Sequence, residues 1–295
     1  MVRGEQSSPV PHAKSPGLRQ TSRYAARTLT IVQAIVLGII QGLTEFLPIS
    51  STAHLRIAPA LFGWPDAGAA FTAVIQLGTL LAVILFFLRD LSGMVTALAD
   101  PKRRHGPEAR MVLYLVAGTV PIGIAGVLLR HLVEGPLRTL AVIGTSLIVV
   151  GLVMALVERL ARHERAMDSL TLRDALLIGL GQTLALVPGV SRSGITLAVG
   201  MAIGLRRDAA ARFSFLLSIP AVAAAAVFEL PKLLHNHDVG ISALLTGLVA
   251  AGVSGYLCIR WLLRFLRTRT TYSFVIYRVA LGLSLLAAVL AGKLA

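Results

Sequence analysis

The sequence predicts an all-α integral membrane protein: six transmembrane helices plus two re-entrant broken helix pairs, arranged as an inverted-topology repeat. Three observations lead to this fold class. Of the 295 residues, 56% are hydrophobic and only 14% are charged, whereas soluble domains contain about 25% charged residues. Several charge-free runs are long enough to cross a bilayer as helices. Two further apolar regions are interrupted by proline.

Six uninterrupted apolar segments predict the transmembrane helices. They lie at about 69–88, 112–130, 139–158, 213–230, 240–258 and 272–292. Two interrupted segments, at about 30–62 and 175–204, break at Pro48 and at Pro188. Proline inside a helix removes a hydrogen bond and clashes with the preceding turn. We therefore interpret each interrupted segment as two half-length helices that enter and leave the membrane on one side.

The chain divides into a tail and one membrane domain. Residues 1–27 are polar, basic and rich in Pro and Ser, which predicts a disordered tail. Residues 28–292 form a single membrane domain, with repeat one at about 28–158 and repeat two at about 175–292. Each repeat contains a broken pair followed by three spans, and this odd number of spans inverts the second repeat relative to the first.

The net charge of +14 is interpreted as loop charge that orients the protein in the membrane. The basic loops 89–111, 159–173, 205–212 and 259–271 are predicted to be cytoplasmic. The first broken pair then enters from the outside, which places the basic tail outside, against the same rule. A full span at 28–47 is the alternative. No nucleic-acid-binding motif accompanies the charge, so no nucleic acid is expected as a partner.

The first interrupted segment carries an acidic residue at membrane depth. Gln41 and Glu45 are four residues apart and therefore share one helix face. A carboxylate in an apolar helix is costly, which makes it a functional candidate by default. A structurally paired or interfacial Glu is the alternative interpretation.

Hydroxyl residues and a histidine follow this acid. After Pro48, one of Ser50, Ser51 and Thr52 caps a new helix, whose free amides and positive dipole favour a phosphate. His54 lies one turn beyond Ser51 and has a side-chain pKa suited to proton transfer. At least one of the three hydroxyls is expected to be only a cap, and a solitary His is often only structural.

The second interrupted segment repeats this pattern and adds a cation. Arg192 carries a permanent charge and a planar set of donors that matches phosphate oxygens, although an ion pair with Glu45 is an alternative role. Small and hydroxyl residues flank Arg192 in the sequence: Gly189, Ser191, Ser193, Gly194 and Thr196. The two glycines permit close approach of the backbone to a ligand. The two segments together supply an acid, a base, hydroxyls and a guanidinium, a set that fits phosphoryl chemistry on a membrane-borne substrate.

These two motifs closely resemble undecaprenyl-diphosphatase, the bacitracin-resistance family of bacterial membrane phosphatases. Gln41 and Glu45 match the family's first signature, residues Pro48 to His54 match its PxSSTxH segment, and Pro188 to Thr196 match PGxSRSGxT. The resemblance covers about residues 28–292. Many members carry Glu where this chain has Gln41, which removes one candidate metal-binding carboxylate.

The resemblance implies hydrolysis of undecaprenyl diphosphate to the monophosphate and phosphate. This reaction recycles the lipid carrier for peptidoglycan synthesis and gives low-level bacitracin resistance. The resemblance also implies a multi-pass protein of the bacterial inner membrane, with its site facing the outer side, and a divalent cation, Mg²⁺ or Ca²⁺. A homodimer is left open. A secondary transporter or lipid flippase is the rival class, because inverted repeats with broken helices are common there.

These expectations lead to a mechanistic hypothesis. Arg192 binds the diphosphate together with helix amides and three hydroxyl side chains, those of Ser191, Ser193 and Thr196; Ser50, Thr52 and Gly189 complete the expected substrate contacts. Glu45, with Gln41, holds the cation. Either Ser51 attacks phosphorus, or water does so, with His54 or Glu45 taking the proton.

Overall fold

The computed structural model describes residues 29–64, 68–134, 136–235 and 240–292, and the predicted tail at 1–27 lies outside the described residues. The described chain forms twelve α-helices: α1 (Ile31–Phe46), α2 (Ser51–Phe62), α3 (Gly68–Phe86), α4 (Leu88–Ala99), α5 (Pro107–Leu128), α6 (Arg130–Glu134), α7 (Leu140–Leu160), α8 (Leu172–Thr183), α9 (Arg192–Ala202), α10 (Arg207–His235), α11 (Ile241–Thr268) and α12 (Tyr272–Leu290). The all-α class is confirmed.

Five of the described helices are long and apolar enough to cross a membrane: α5, α7, α10, α11 and α12. A sixth span is obtained if α3 and α4 are counted as one segment, and these two helices are bent by 72° at Phe87. The outward faces of the long apolar helices carry large apolar side chains, such as Leu128 on α5, Leu156 on α7 and Val253 on α11. A multi-pass membrane protein explains so much exposed apolar surface.

The sequence placed loops where the structure has helix. The predicted loop at 89–111 contains α4, and most of the loop at 259–271 is the last part of α11. The two predicted spans before these loops, at 69–88 and 240–258, stop just before Arg89 and Arg260. A long Arg side chain can reach the polar boundary from within a helix, so charge marked the membrane surface and not the helix end.

The main helix contacts of the first half of the chain have counterparts in the second half. Helix α1 packs on α11, just as α8 packs on α5. Helix α11 also packs on α3, as α5 packs on α10, and α7 pairs with α12. Helix α9 lies at the centre, because eight of its 11 residues are buried. The helix that follows the second break is thus held inside the bundle, whereas only three of the 12 residues of α2 are buried.

Candidate active site

The first break is a short extended segment between α1 and α2. Leu47 is extended, at φ −65° and ψ 139°, as the residue before a proline prefers to be. Ser50 then adopts φ 74° and ψ 101°, and its side chain accepts a hydrogen bond from the Ala53 amide as the α2 cap. A positive φ is uncommon for serine, so the start of α2 is defined by an unusual backbone turn.

The second break is built in the same way. Val187 is extended before Pro188, and Ser191 adopts φ 70° and ψ 114° while capping α9 through the Gly194 amide. Gly189 has φ +94°, and a Cβ there would lie 2.6 Å from the Ile143 carbonyl oxygen. Both its backbone angle and its contact with α7 therefore require glycine.

The two breaks meet at the Glu45 carboxylate. Ser51 at the start of α2 donates to Oε2 of Glu45 at 2.8 Å. Arg192 at the start of α9 donates from Nη2 to Oε1 at 3.0 Å, although the two residues are 147 positions apart in the chain. Gln41 donates from Nε2 to Oε2 at 3.1 Å. One carboxylate thus links residues from both halves of the chain.

A cavity of about 190 Å³ lies over this junction. Its polar lining contains seven predicted site residues: Glu45, Ser50, Ser51, Thr52, Gly189, Ser191 and Arg192. Its apolar lining comes from the segment just before α9 and from helices α5 and α10: Ile122, Ala185, Val187, Ala221, Val222 and Ala225. The arrangement suits an amphipathic ligand with one charged end.

The polar side of the cavity is ready to receive an anion. Nη1 of Arg192 is buried and has no hydrogen-bond partner among the described residues. Among these residues, the backbone amides of Ser51, Thr52, Arg192 and Ser193 also have no hydrogen-bond acceptor, as is normal at helix starts. Two helix N-termini and a guanidinium with a free donor form a phosphate-binding arrangement.

His54 lies outside the lining of this cavity. Its Nδ1 is 2.7 Å from the Ser50 carbonyl oxygen, and its Nε2 is 2.6 Å from the Tyr277 hydroxyl. Because a carbonyl can only accept, Nδ1 carries the proton and Nε2 accepts from the tyrosine. The structure therefore brings His54 to α12 and not to Ser51 or Glu45, and its catalytic role stays a prediction.

Two of the predicted phosphate-binding hydroxyls also stand apart from the cavity. Ser193 donates to the Leu47 carbonyl at 3.1 Å and so joins the two breaks directly. Thr196 donates to the Arg192 carbonyl at 2.7 Å and pairs with Ser214. Their contact with substrate stays a prediction, and in this structure they hold α9 in place.

Comparison with known proteins identifies the family of the chain. The family model for "Bacitracin resistance protein BacA" matches residues 34–284. The chain belongs to this family. An undecaprenyl-diphosphatase from Myxococcus xanthus is 52% identical over 271 residues, covering 90% of this chain and 91% of the relative. Those from a Nocardioides species and from Synechococcus elongatus are 49% and 47% identical, with 98% and 97% of each relative covered.

The carboxylate ligands for a divalent cation are few in this BacA protein. No group of three His, Cys, Asp or Glu residues that could hold a metal occurs in the described parts of the chain. Mg²⁺ in phosphoryl-transfer sites is often held by one or two carboxylates together with substrate phosphates. Glu45 and the amide oxygen of Gln41 fit that limited role, with the diphosphate supplying further oxygen ligands.

Three residues that the sequence analysis missed belong to this site or border it. Gln76 on α3 lines the cavity, Tyr277 on α12 binds His54, and Arg278 donates to carbonyl oxygens of both breaks. Gln76 is the one amide of the predicted span 69–88, Arg278 is the one charge of the span 272–292, and Tyr277 is its neighbour. The rule that identified Glu45, a polar group at membrane depth, would also have identified Gln76 and Arg278.

Proposed function

We propose that this BacA protein hydrolyses undecaprenyl diphosphate to undecaprenyl phosphate and phosphate. The reaction recycles the lipid carrier of peptidoglycan synthesis, and it confers bacitracin resistance because that antibiotic captures the diphosphate. One observation carries the proposal. The Nη1 atom of Arg192 is buried and unpartnered near two helix N-termini, in a cavity that also contains a serine bound to a carboxylate.

Arg192 binds the diphosphate. Its free Nη1 donates to a phosphate oxygen while Nη2 keeps the Glu45 contact seen without substrate. The amides at the starts of α2 and α9 add donors and positive dipole ends. The charge that develops on the phosphoryl oxygens is stabilised in this way, which is the main requirement for catalysis of phosphoryl transfer.

Ser51 is the nucleophile and Glu45 is its base. A serine hydroxyl that donates at 2.8 Å to a carboxylate has the geometry of an activated nucleophile. The Ser51 oxygen bonds to the terminal phosphorus, its proton passes to Glu45, and the bridging P–O bond breaks to release undecaprenyl phosphate. Water then hydrolyses the phosphoserine, with Glu45 again handling the proton.

A divalent cation, Mg²⁺ or Ca²⁺, belongs to this proposal. When bound, it would neutralise phosphate charge, and Glu45 and Gln41 would hold it jointly with the diphosphate.

The apolar lining from α5 and α10 contacts the first part of the prenyl chain. Because Ile122, Val222 and Ala225 line the same cavity as the polar groups, the substrate class is a prenyl diphosphate and not a soluble one.

The packing supports an inverted repeat with two re-entrant pairs. Exchange of α1, α3, α5 and α7 with α8, α10, α11 and α12 reproduces the most extensive helix contacts, and the serines that cap α2 and α9 share one backbone conformation. We place the protein in the bacterial inner membrane with the cavity facing the outer side. A homodimer stays a separate prediction, which native mass spectrometry in detergent can test.

The decisive experiment is phosphate release from undecaprenyl diphosphate by the purified protein, with and without chelator. We expect release that a chelator abolishes and added Mg²⁺ or Ca²⁺ restores. Arg192→Ala should lose nearly all activity, whereas Arg264→Ala, an exposed arginine on α11 that does not line the cavity, should keep it. Transbilayer movement of intact lipid without phosphate release would instead indicate a flippase.

A further inference from the structure

Arg278 is the most deeply buried charge of the described chain. It lies on the second turn of α12, within an apolar span, and it is 0% exposed. A cation inside a membrane helix is costly and usually pairs with an acid or with backbone carbonyls. Arg278 is absent from the described salt bridges. Its partners are all backbone carbonyls.

These carbonyls come from three separate places in the chain. Arg278 donates from Nη1 to the Pro48 oxygen at 3.0 Å, which is in the first break. Its Nη2 donates to the oxygens of Gly189 and Val190 at 3.0 Å each, in the second break. Its Nε donates to the Leu147 oxygen on α7 at 3.2 Å.

The breaks need such a donor. Carbonyls in an interrupted helix lose their intrahelical partners, and membrane interiors provide no water to replace them. The Pro48 carbonyl lies two residues before Ser50, and the Gly189 and Val190 carbonyls directly precede Ser191. These two positive-φ serines cap α2 and α9. A planar guanidinium has five N–H donors in a fixed geometry, so one side chain can set both starts relative to each other.

We propose that Arg278 is a positioning residue that fixes the two helix starts so that Ser51 and Arg192 converge on Glu45. The inference rests on the proposed function, because it explains how that catalytic arrangement is held. The adjacent Tyr277 binds His54 on α2, so α12 restrains the first helix start at a second point. This positioning role requires the planar shape of the Arg278 guanidinium and not its charge alone.

The kinetic test compares Arg278→Lys and Arg278→Gln with the same changes at Arg207. Arg207 is an arginine that pairs with Glu158 and does not line the cavity. We expect Arg278→Lys to lower kcat by about 10²-fold per folded molecule, with KM within about threefold, because a shift of about 1 Å has this effect. The Arg207 variants should keep kcat. Full activity of Arg278→Lys would overturn the proposal, as would a loss confined to KM.

A second measurement does not depend on turnover. Spin labels at Arg56→Cys on α2 and Ala202→Cys on α9, in a Cys258→Ala background, report the distance between the two helices. We expect one narrow distance distribution in the parent and with Arg207→Gln, and a broadened or shifted one with Arg278→Gln. An unchanged distribution with Arg278→Gln would refute the positioning role. Absence of phosphate release by the parent would refute only the proposed function.

Discussion

The two breaks have nearly the same backbone and different chemistry. Ser50 and Ser191 have φ values of 74° and 70° and ψ values of 101° and 114°, and each caps the helix that follows it. The next residue is Ser51 in one case and Arg192 in the other. The same turn therefore presents a hydroxyl from one side and a cation from the other. The proposed division of roles, with Ser51 as nucleophile and Arg192 as phosphate ligand, rests on this one difference.

The residues before the breaks differ in a second way. Five positions before Ser50 is Glu45, whereas five positions before Ser191 is Leu186. Gln41 and Gln182 lie nine positions before the same two serines. Only Gln41 contacts an acid, while Gln182 is fully buried with Oε1 unpartnered. One carboxylate serves both helix starts, so the two halves cannot work as independent sites.

The largest effect is expected at Ser51. Ser51→Ala should lower the rate of phosphate release by at least about 10⁴-fold, since loss of a catalytic nucleophile has effects of this size or greater. Rapid quenching of the parent with labelled substrate should trap phosphate on Ser51 and on no other residue. A fully active Ser51→Ala would show that Ser51 is not the nucleophile and would point to water instead. It would contradict the proposal that one break supplies the nucleophile and the other the cation.

The second largest effect is expected at Arg192. Arg192→Lys should lower kcat by about 10³-fold, because an arginine that stabilises phosphoryl charge contributes at least that much and lysine lacks its paired donors. Arg264→Lys is the matched control and should be unaffected. Activity of Arg192→Lys within about twofold of the parent would show that only charge is needed at the second helix start.

An intermediate effect is expected at Gly189, the extra residue between proline and serine in the second break. Gly189→Ala should lower kcat by about 10²-fold, since its Cβ would displace the backbone from Ile143 and move Arg192. Gly63→Ala is the control, because Gly63 also has a positive φ, of +61°, but open space around its Cβ position. Equal effects of both substitutions would contradict this argument.

The smallest effect separates the two glutamines. Gln41→Leu should lower kcat/KM by about tenfold, which corresponds to a hydrogen bond to a charged group, and Gln41→Glu should keep or raise activity. Gln182→Leu should leave activity unchanged, because its amide has no catalytic partner. A loss with Gln182→Leu equal to that with Gln41→Leu would mean that both halves contribute to catalysis at this position.

The sequence predicted the membrane class, the two breaks and the residues that meet at Glu45, because proline and polar groups in apolar runs are strong local signals. It misplaced the C-terminal end of α11 and missed α4, since charge marks a membrane surface and not a helix end. Tyr277 and Arg278 could not be assigned roles from local pattern, because their partners lie on other helices more than 80 positions away. Such contacts depend on the packing of α12.

The most direct test of the central claim is a double-mutant cycle between Glu45→Gln and Arg192→Lys, measured as kcat/KM for phosphate release. These residues come from different halves of the chain and are in contact at 3.0 Å, so their effects should be strongly non-additive. We predict that the double variant loses little more activity than the more impaired single variant. Losses that multiply would mean that the two breaks act independently, and they would contradict a single shared site.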